Sequence, residues 1–376
     1  MSVITPFLRI PSTPGGRVLV LSASVGQGHE GAARELARRL VDRGIEVEVF
    51  DYLEALPWPV RRVLRDLYHP TVQYAPRLFD RIFRGLERRG WLQGLAHGVD
   101  ELAASTIERR ARAADVLVST YPLASQTLGR LREQYRLPAT AITYLTDPAA
   151  HALWCHPAVD VHLTATQATA DDAARYGVDA RVAGPLCSPQ FSRTGRPRQA
   201  VREELGLPET APVVLLSAGS LGMGAIPQTV IAASAHPQAW VVVLCGRNES
   251  LRRRLHTMPR VIPLGWREDV AELMASADVL VHNAGGLSFT EALVAGLPAL
   301  TYLPIPGHGR ANAALLEHAG VASWPRTTAH LVDAIERAQR APRPATRPWP
   351  AGADPAAVIE RILADRTPTA RRASGF

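Results

Sequence analysis

The stretch His282–Asn312, HNAGGLSFTEALVAGLPALTYLPIPGHGRAN, decides how the rest of the chain is read. A short apolar strand, Asp278 to Val281, leads into the glycine pair Gly285 and Gly286. A helix should then start at Ser288-Phe289-Thr290-Glu291, with Ser288 as N-cap and Glu291 at the third helical position, the spacing of a capping box. A glycine turn feeding a helix start aims unpaired N–H groups and the positive end of the helix dipole at one spot, which suits a phosphate. Gly296-Leu297-Pro298 ends that helix, a second strand follows, and Pro304 to Gly309 forms a loop before a helix beginning near Ala311. Read alone, Glu291 either closes the capping box or faces a ligand, and the glycines either make an ordinary turn or cradle an anion.

Upstream, the same α/β rhythm recurs. Strand Val213 to Leu216 runs into Ser217-Ala218-Gly219-Ser220-Leu221-Gly222-Met223-Gly224, a second glycine-rich turn before a helix, suited to a diphosphate or to close packing of small residues. Strand Trp240 to Cys245 leads to Gly246-Arg247-Asn248, and strand Val261 to Leu264 to Gly265-Trp266-Arg267. Trp266 either stacks on a ligand or packs as core.

The N-terminal half opens with strand Arg17 to Ser22, helix Ala32 to Arg43 with an apolar face, and strand Ile45 to Phe50. This β-α-β unit implies a parallel sheet with a right-handed crossover. Gly26-Gln27-Gly28-His29-Glu30-Gly31 satisfies the dinucleotide pattern G-x-G-x-x-G, with Asp51 ending the second strand, but places a histidine inside the turn. Neutral imidazole has the basicity to take a proton from an alcohol near pH 7; otherwise His29 only caps its helix.

Pro57 to Leu92 differs in character. It holds eight arginines against three acids, interleaved with Trp58, Tyr68, Tyr74, Phe79, Phe83 and Trp91. Amphipathic helices of this composition, with Trp58, Arg61, Arg62, Arg65 and Trp91 foremost, suit an anionic membrane surface; the plain alternative is surface helices whose aromatics are core. No nucleic-acid module accompanies them. Strands Asp115 to Ser119 and Ala139 to Leu145 follow, the second ending in Thr146-Asp147, where Asp147 either serves a site or opens a turn before Pro148.

The totals fit two domains: 376 residues, 47% hydrophobic, 20% charged and a net charge of +7, with every basic residue an Arg. No stretch approaches the roughly 18 apolar residues of a spanning helix, and no signal-peptide pattern opens the chain. Cys155, Cys187 and Cys245 form neither a disulfide framework nor a metal site, which fits a reducing cytoplasm.

The order GG-LS-x-T-E-A-L, G-x-P and P-x-P-G-x-x-x-x-N-A resembles the nucleotide-sugar half of the diacylglycerol glycosyltransferases. These are the monogalactosyldiacylglycerol synthases and processive diacylglycerol glucosyltransferases; the peptidoglycan lipid-intermediate N-acetylglucosaminyltransferase is a more distant likeness. SVGQGHEGA is similar to their G-x-G-H loop, and YLTDPAAHALWCHPAVDVHL to their cleft segment. The resemblance implies the GT-B arrangement: α/β, two Rossmann-like doubly wound domains facing a central cleft. It divides the chain into a loose tail 1–16, an acceptor- and membrane-facing domain 17–187, a linker 188–199, a nucleotide-sugar domain 200–340, a crossing segment and helix 341–366 that return to the first domain, and a disordered tail 367–376.

By the same resemblance, His29 is the catalytic base facing the acceptor hydroxyl beside Gly28, and Asp147 orients it or binds the acceptor. Glu291 holds the donor ribose. Gly285, Gly286, Leu287 and Ser288 face the diphosphate, as do Ser220, Gly222, Met223 and Gly224. The Trp266–Arg267 loop receives uracil, and Asn312, with Arg310 nearby, reaches the sugar. Cys187 departs from the family pattern at a position that contacts donor phosphate, so that contact is either missing or supplied by Arg247, and the donor's identity stays open. The implied reaction is inverting transfer of a hexose from a UDP-sugar to a lipid hydroxyl at the inner face of the cell membrane. No metal or cofactor is required, because two helix N-termini stabilise the leaving UDP. The rival expectations are a soluble acceptor, a nucleotide-sugar epimerase, or a dinucleotide oxidoreductase resting on Gly26–Gly31 alone. The pattern sets neither the hexose nor an oligomeric state.

Overall fold

The computed structural model describes residues 16–87, 91–192, 195–217, 219–220, 222–283, 286–341 and 354–366. The proposed tail 1–16 apart from Gly16, the proposed tail 367–376, most of the crossing segment, and Gly285 lie outside them. The side chains of Tyr68 and Trp91 do too.

The first unit runs β1 (Arg17–Ser22), α1 (Gln27–Val41), β2 (Glu46–Asp51), α2 (Trp58–Tyr74), α3 (Pro76–Glu87), α4 (Trp91–Ala111), β3 (Val116–Ser119), α5 (Pro122–Glu133), β4 (Thr140–Leu145), β5 (Val161–Thr164), α6 (Gln167–Ala174) and β6 (Ala180–Val182). After α7 (Arg198–Glu204), the second runs β7 (Val213–Ser217), α8 (Ile226–Ser234), β8 (Trp240–Leu244), α9 (Glu249–Leu255), β9 (Val261–Leu264), α10 (Val270–Ser276), β10 (Val279–His282), α11 (Leu287–Val294), β11 (Ala299–Thr301), α12 (His308–His318) and α13 (Thr328–Arg340). Helix α14 (Pro355–Arg366) closes the described chain.

Both sheets are parallel, ordered β2-β1-β3-β4-β5-β6 and β11-β10-β7-β8-β9. The central strands β1, β3, β7, β8 and β10 read as nearly unbroken apolar runs because both their faces are buried. Leu19, Leu21 and Leu117 enter one core layer while Val18, Val20, Val116 and Val118 enter the opposite one. Val214, Leu216, Val241 and Val243 divide from Val213, Leu215 and Val242 in the same way.

Each sheet reverses direction once. The chain winds outward from β1 to β2 and then restarts beside β1 with β3; it winds from β7 to β9 and restarts beside β7 with β10. A crevice opens at the carboxyl ends of the strands where the winding reverses, and ligands of such sheets bind there. The β1–α1 and β3–α5 connections meet at the first switch point, and the β7–α8 and β10–α11 connections at the second.

Helix α14 returns to the first unit. Ala356, Ile359 and Leu363 join the core layer of β1 and α1, Asp354 pairs with Arg43 (2.7 Å) and Arg39 (3.3 Å), and Glu360 pairs with Arg43 (2.7 Å). Among the described residues, no helix is long and apolar enough to cross a membrane.

Candidate active site in the interdomain cleft

Helix α1 begins five residues before the apolar periodicity suggests, because Gly26 takes an extended backbone and lets the turn close at Gln27. His29 therefore stands in the first turn of the helix rather than in a loop. Its Nδ1–H donates to the carbonyl oxygen of Thr120 at 2.8 Å, with Thr146 Oγ1 at 3.1 Å, and the Thr120 hydroxyl donates back to the His29 carbonyl at 3.2 Å. A carbonyl can only accept, so Nδ1 keeps its proton and Nε2 is left as a lone-pair acceptor. Burial lowers the His29 pKa, partly offset by Asp147 and the Thr120 carbonyl. The ring lies 5.3 Å from Tyr121 and 5.9 Å from Trp154.

Asp147 does not orient His29 by a hydrogen bond, contrary to one sequence expectation; Thr120 does. Asp147 Oδ2 accepts from the buried Trp154 indole at 2.9 Å and lies 3.7 Å from His151 Nε2. Burial would push this carboxyl up, but His151, His308 and His29 outweigh that and hold it well below the usual carboxylate range. It sits at the cleft floor among these rings. His308, which opens α12 in the second unit, has its own pKa lowered by burial and feels Asp147, His151 and His29.

Asp51 is spoken for. Its Oδ1 accepts from Ser24 N–H at 3.3 Å and Leu53 N–H at 3.0 Å, so it caps the turn after β2 and is not free for a cofactor ribose. A Cβ on Gly31 would sit 2.7 Å from Leu287, so the third glycine of the apparent dinucleotide pattern admits α11 of the facing unit. Gly28, Thr146, Asp147, Leu287, Thr290 and Leu293 line a small pocket at this junction.

In the second unit, the capping box does not form. Helix α11 starts at Leu287 behind Gly286, whose φ of 69° and ψ of −139° turn the chain sharply, and no side chain caps it. Ser288 lies inside the helix and pairs its hydroxyl with Ser217 at 2.9 Å, joining the two loops of the switch point. Glu291 is released from capping: it is half-buried, and among the described residues nothing hydrogen-bonds its carboxylate. Burial alone raises it to about 8.

Gly222, Met223 and Gly224 form the neighbouring turn with Ser220, whose carbonyl accepts from Arg247 N–H at 3.0 Å. Asn283, not singled out from sequence, fastens this turn to two others: its Nδ2 donates to Met223 O at 2.7 Å and its carbonyl accepts from Ile305 N–H at 2.7 Å. Arg247 is exposed and stacks 4.8 Å over the ring of Trp266, which is itself 47% exposed and therefore not core. Arg267 is instead engaged by Asp269 (2.7 Å) and Glu204 (3.8 Å), which ties its loop to α7. Cys187 is buried in the second unit's core beside Phe191, where burial pushes its thiol up.

Asn312, expected to reach the sugar, has a partner inside the protein. It is 1% exposed, and its Oδ1 accepts from Ala149 N–H in the first unit at 2.9 Å. In this conformation it clasps the two units. Arg310 faces Asp80 of α3 at 3.6 Å. Phe79 and Phe83 of α3 turn inward to His308, whereas Trp58 (61% exposed) and Tyr74 (80%) face outward with Arg62 stacked 5.2 Å over Trp58. Arg65 pairs with Asp66 at 3.2 Å, and Arg61 is half-exposed on the same helix.

Two doubly wound units, their switch points opposed and an imidazole on one side, make the GT-B architecture. Residues 29–185 match the family described as monogalactosyldiacylglycerol (MGDG) synthase, and residues 220–340 match glycosyl transferases group 1. The chain is 26% identical over 324 residues to the processive diacylglycerol beta-glucosyltransferase of Bacillus pumilus (strain SAFR-032), covering 81% of this chain and 82% of that protein. It is 26% identical over 350 residues to the chloroplastic monogalactosyldiacylglycerol synthase of Spinacia oleracea, covering 87% of this chain and 66% of that one. In fold it is similar to MurG of Acinetobacter baumannii, at TM-score 0.54 and 18% identity over 93% of this chain and 99% of that one. The resemblance to the diacylglycerol glycosyltransferases therefore holds, and the chain is a hexosyltransferase.

Proposed function

We propose that this enzyme moves a hexose from a UDP-sugar to a hydroxyl of a diacylglycerol-type lipid, with inversion, as a peripheral protein on the inner face of the cell membrane. His29 Nε2 takes the proton of the acceptor hydroxyl as its oxygen bonds to the anomeric carbon. The bond from that carbon to the diphosphate breaks, and its electron pair leaves on UDP. The uncapped starts of α8 and α11 face the growing charge, which makes a metal dispensable. Glu291 offers an unengaged carboxylate to the ribose hydroxyls, and Trp266 an exposed ring to the base. The lipid acceptor follows the names of the relatives and the basic, Trp58-bearing face of α2.

The observation that carries this reading is the His29–Thr120 hydrogen bond, which leaves the free ring nitrogen as an acceptor at the first switch point. The test is incubation with a panel of radiolabelled UDP-sugars and diacylglycerol vesicles, with and without EDTA, followed by separation of lipid products. One labelled lipid, formed equally in both, is expected. His29→Ala should lower kcat by at least about a hundredfold while UDP affinity stays near wild type. Label appearing only on a soluble acceptor, or unchanged turnover by the variant, overturns the reading.

A further inference from the structure

Helix α3 belongs by sequence to the basic, aromatic segment of the first unit, yet it reaches across the cleft. Asp80 Oδ1 accepts from Gly307 N–H, at the mouth of α12, at 2.9 Å, and Asp80 Oδ2 lies 3.6 Å from Arg310 one turn along. A carboxylate there meets both the unpaired N–H and the positive end of the helix. Two aromatic rings grip the same point. A Cβ on Gly307, whose φ is +66°, would fall 2.9 Å from Phe83 and 3.1 Å from Phe79. Phe83 also stands 5.4 Å from His151, the neighbour of Asp147, and 6.0 Å from His308. One helix of the acceptor-side unit thus touches the cleft floor of its own unit and the start of a donor-side helix. Asp80 also pairs with Arg84 of its own helix at 3.4 Å, but that side chain is largely exposed and the contact is local.

We propose that Asp80 is a positioning residue for the transfer: by seating α3 on the start of α12 it fixes the closed spacing of the two units and roofs the acceptor side of the site. The kinetic part of this inference rests on the proposed transfer to a lipid; the seating itself does not. Asp80→Ala removes both contacts, whereas Asp80→Asn keeps an oxygen for the Gly307 N–H and loses only the charge.

The experiment measures hydrogen exchange of full-length protein at residues 307–311 and in α3, together with steady-state kinetics on diacylglycerol vesicles. Asp80→Ala should speed exchange in both segments, lower kcat/KM for the lipid by about fivefold, the order of one lost hydrogen bond, and leave UDP affinity unchanged. Asp80→Asn should restore most of each. Unchanged exchange in Asp80→Ala overturns the seating. Faster exchange with unaltered lipid kinetics reduces it to a structural contact and overturns the positioning role. If the wild type glycosylates no lipid while exchange still responds to Asp80, the proposed acceptor fails and the seating stands.

Discussion

At the scale of single residues, the site works by making each polar group choose one partner. The Thr120 carbonyl accepts a hydrogen bond from the His29 Nδ1–H, and burial at the helix start favours the neutral ring, so Nε2 stays a lone-pair acceptor without a carboxylate behind the ring. Glu291 is the opposite case, a carboxyl with no hydrogen-bond partner among the described residues and raised by burial to about 8. Between its ordinary value of 4.5 and about 8, the folded protein holds this proton while the unfolded chain releases it. The stabilising contribution is therefore complete below pH 4.5 and is lost as the pH rises through about 8. Glu291→Gln should raise the melting temperature by about 2 °C at pH 8, and by nothing measurable at pH 4. The same variant should weaken UDP-sugar binding roughly tenfold, measured by calorimetry.

At the scale of elements, the segment Pro57 to Leu92 splits its labour. α2 turns Trp58, Arg62 and Val63 outward, while α3 turns Phe79 and Phe83 inward, so the interleaved aromatics are not one surface. Composition cannot separate these two uses, because a ring that faces lipid and a ring that faces a neighbouring helix have the same spacing. Replacing Arg61, Arg62 and Arg65 with Glu should cut co-sedimentation with phosphatidylglycerol vesicles by at least about a hundredfold at low salt. The wild type should itself detach as salt approaches about 1 M. Arg62 and Arg65, which share Asp66 at 3.4 Å and 3.2 Å, should each contribute less than Arg61.

At the scale of the whole molecule, the contacts that hold closure include Asn312 to Ala149, Asp80 to Gly307, Gly31 against Leu287, and α14 strapped to α1. Asn312→Ala leaves the Ala149 N–H without its acceptor, at a cost of about 1–3 kcal/mol. Small-angle scattering of the variant should show a larger radius of gyration without any ligand. A change seen only when UDP-sugar is present would mean that Asn312 serves the sugar rather than the clasp.

The sequence alone determined the α/β alternation, both glycine turns and the two-unit plan, and it singled out His29, because strand hydrophobicity and turn chemistry are local. It also singled out Glu291 and Trp266, although for Glu291 it attached a capping role that Gly286 removes. Only the tertiary structure decided which partner each polar group finds. Thr120 meets His29 across 91 positions, Asn312 meets Ala149 across 163, and Asp80 meets Gly307 across 227. Such pairings arise from strand order and from the apposition of two separately folded units, neither of which leaves a periodic trace along the chain.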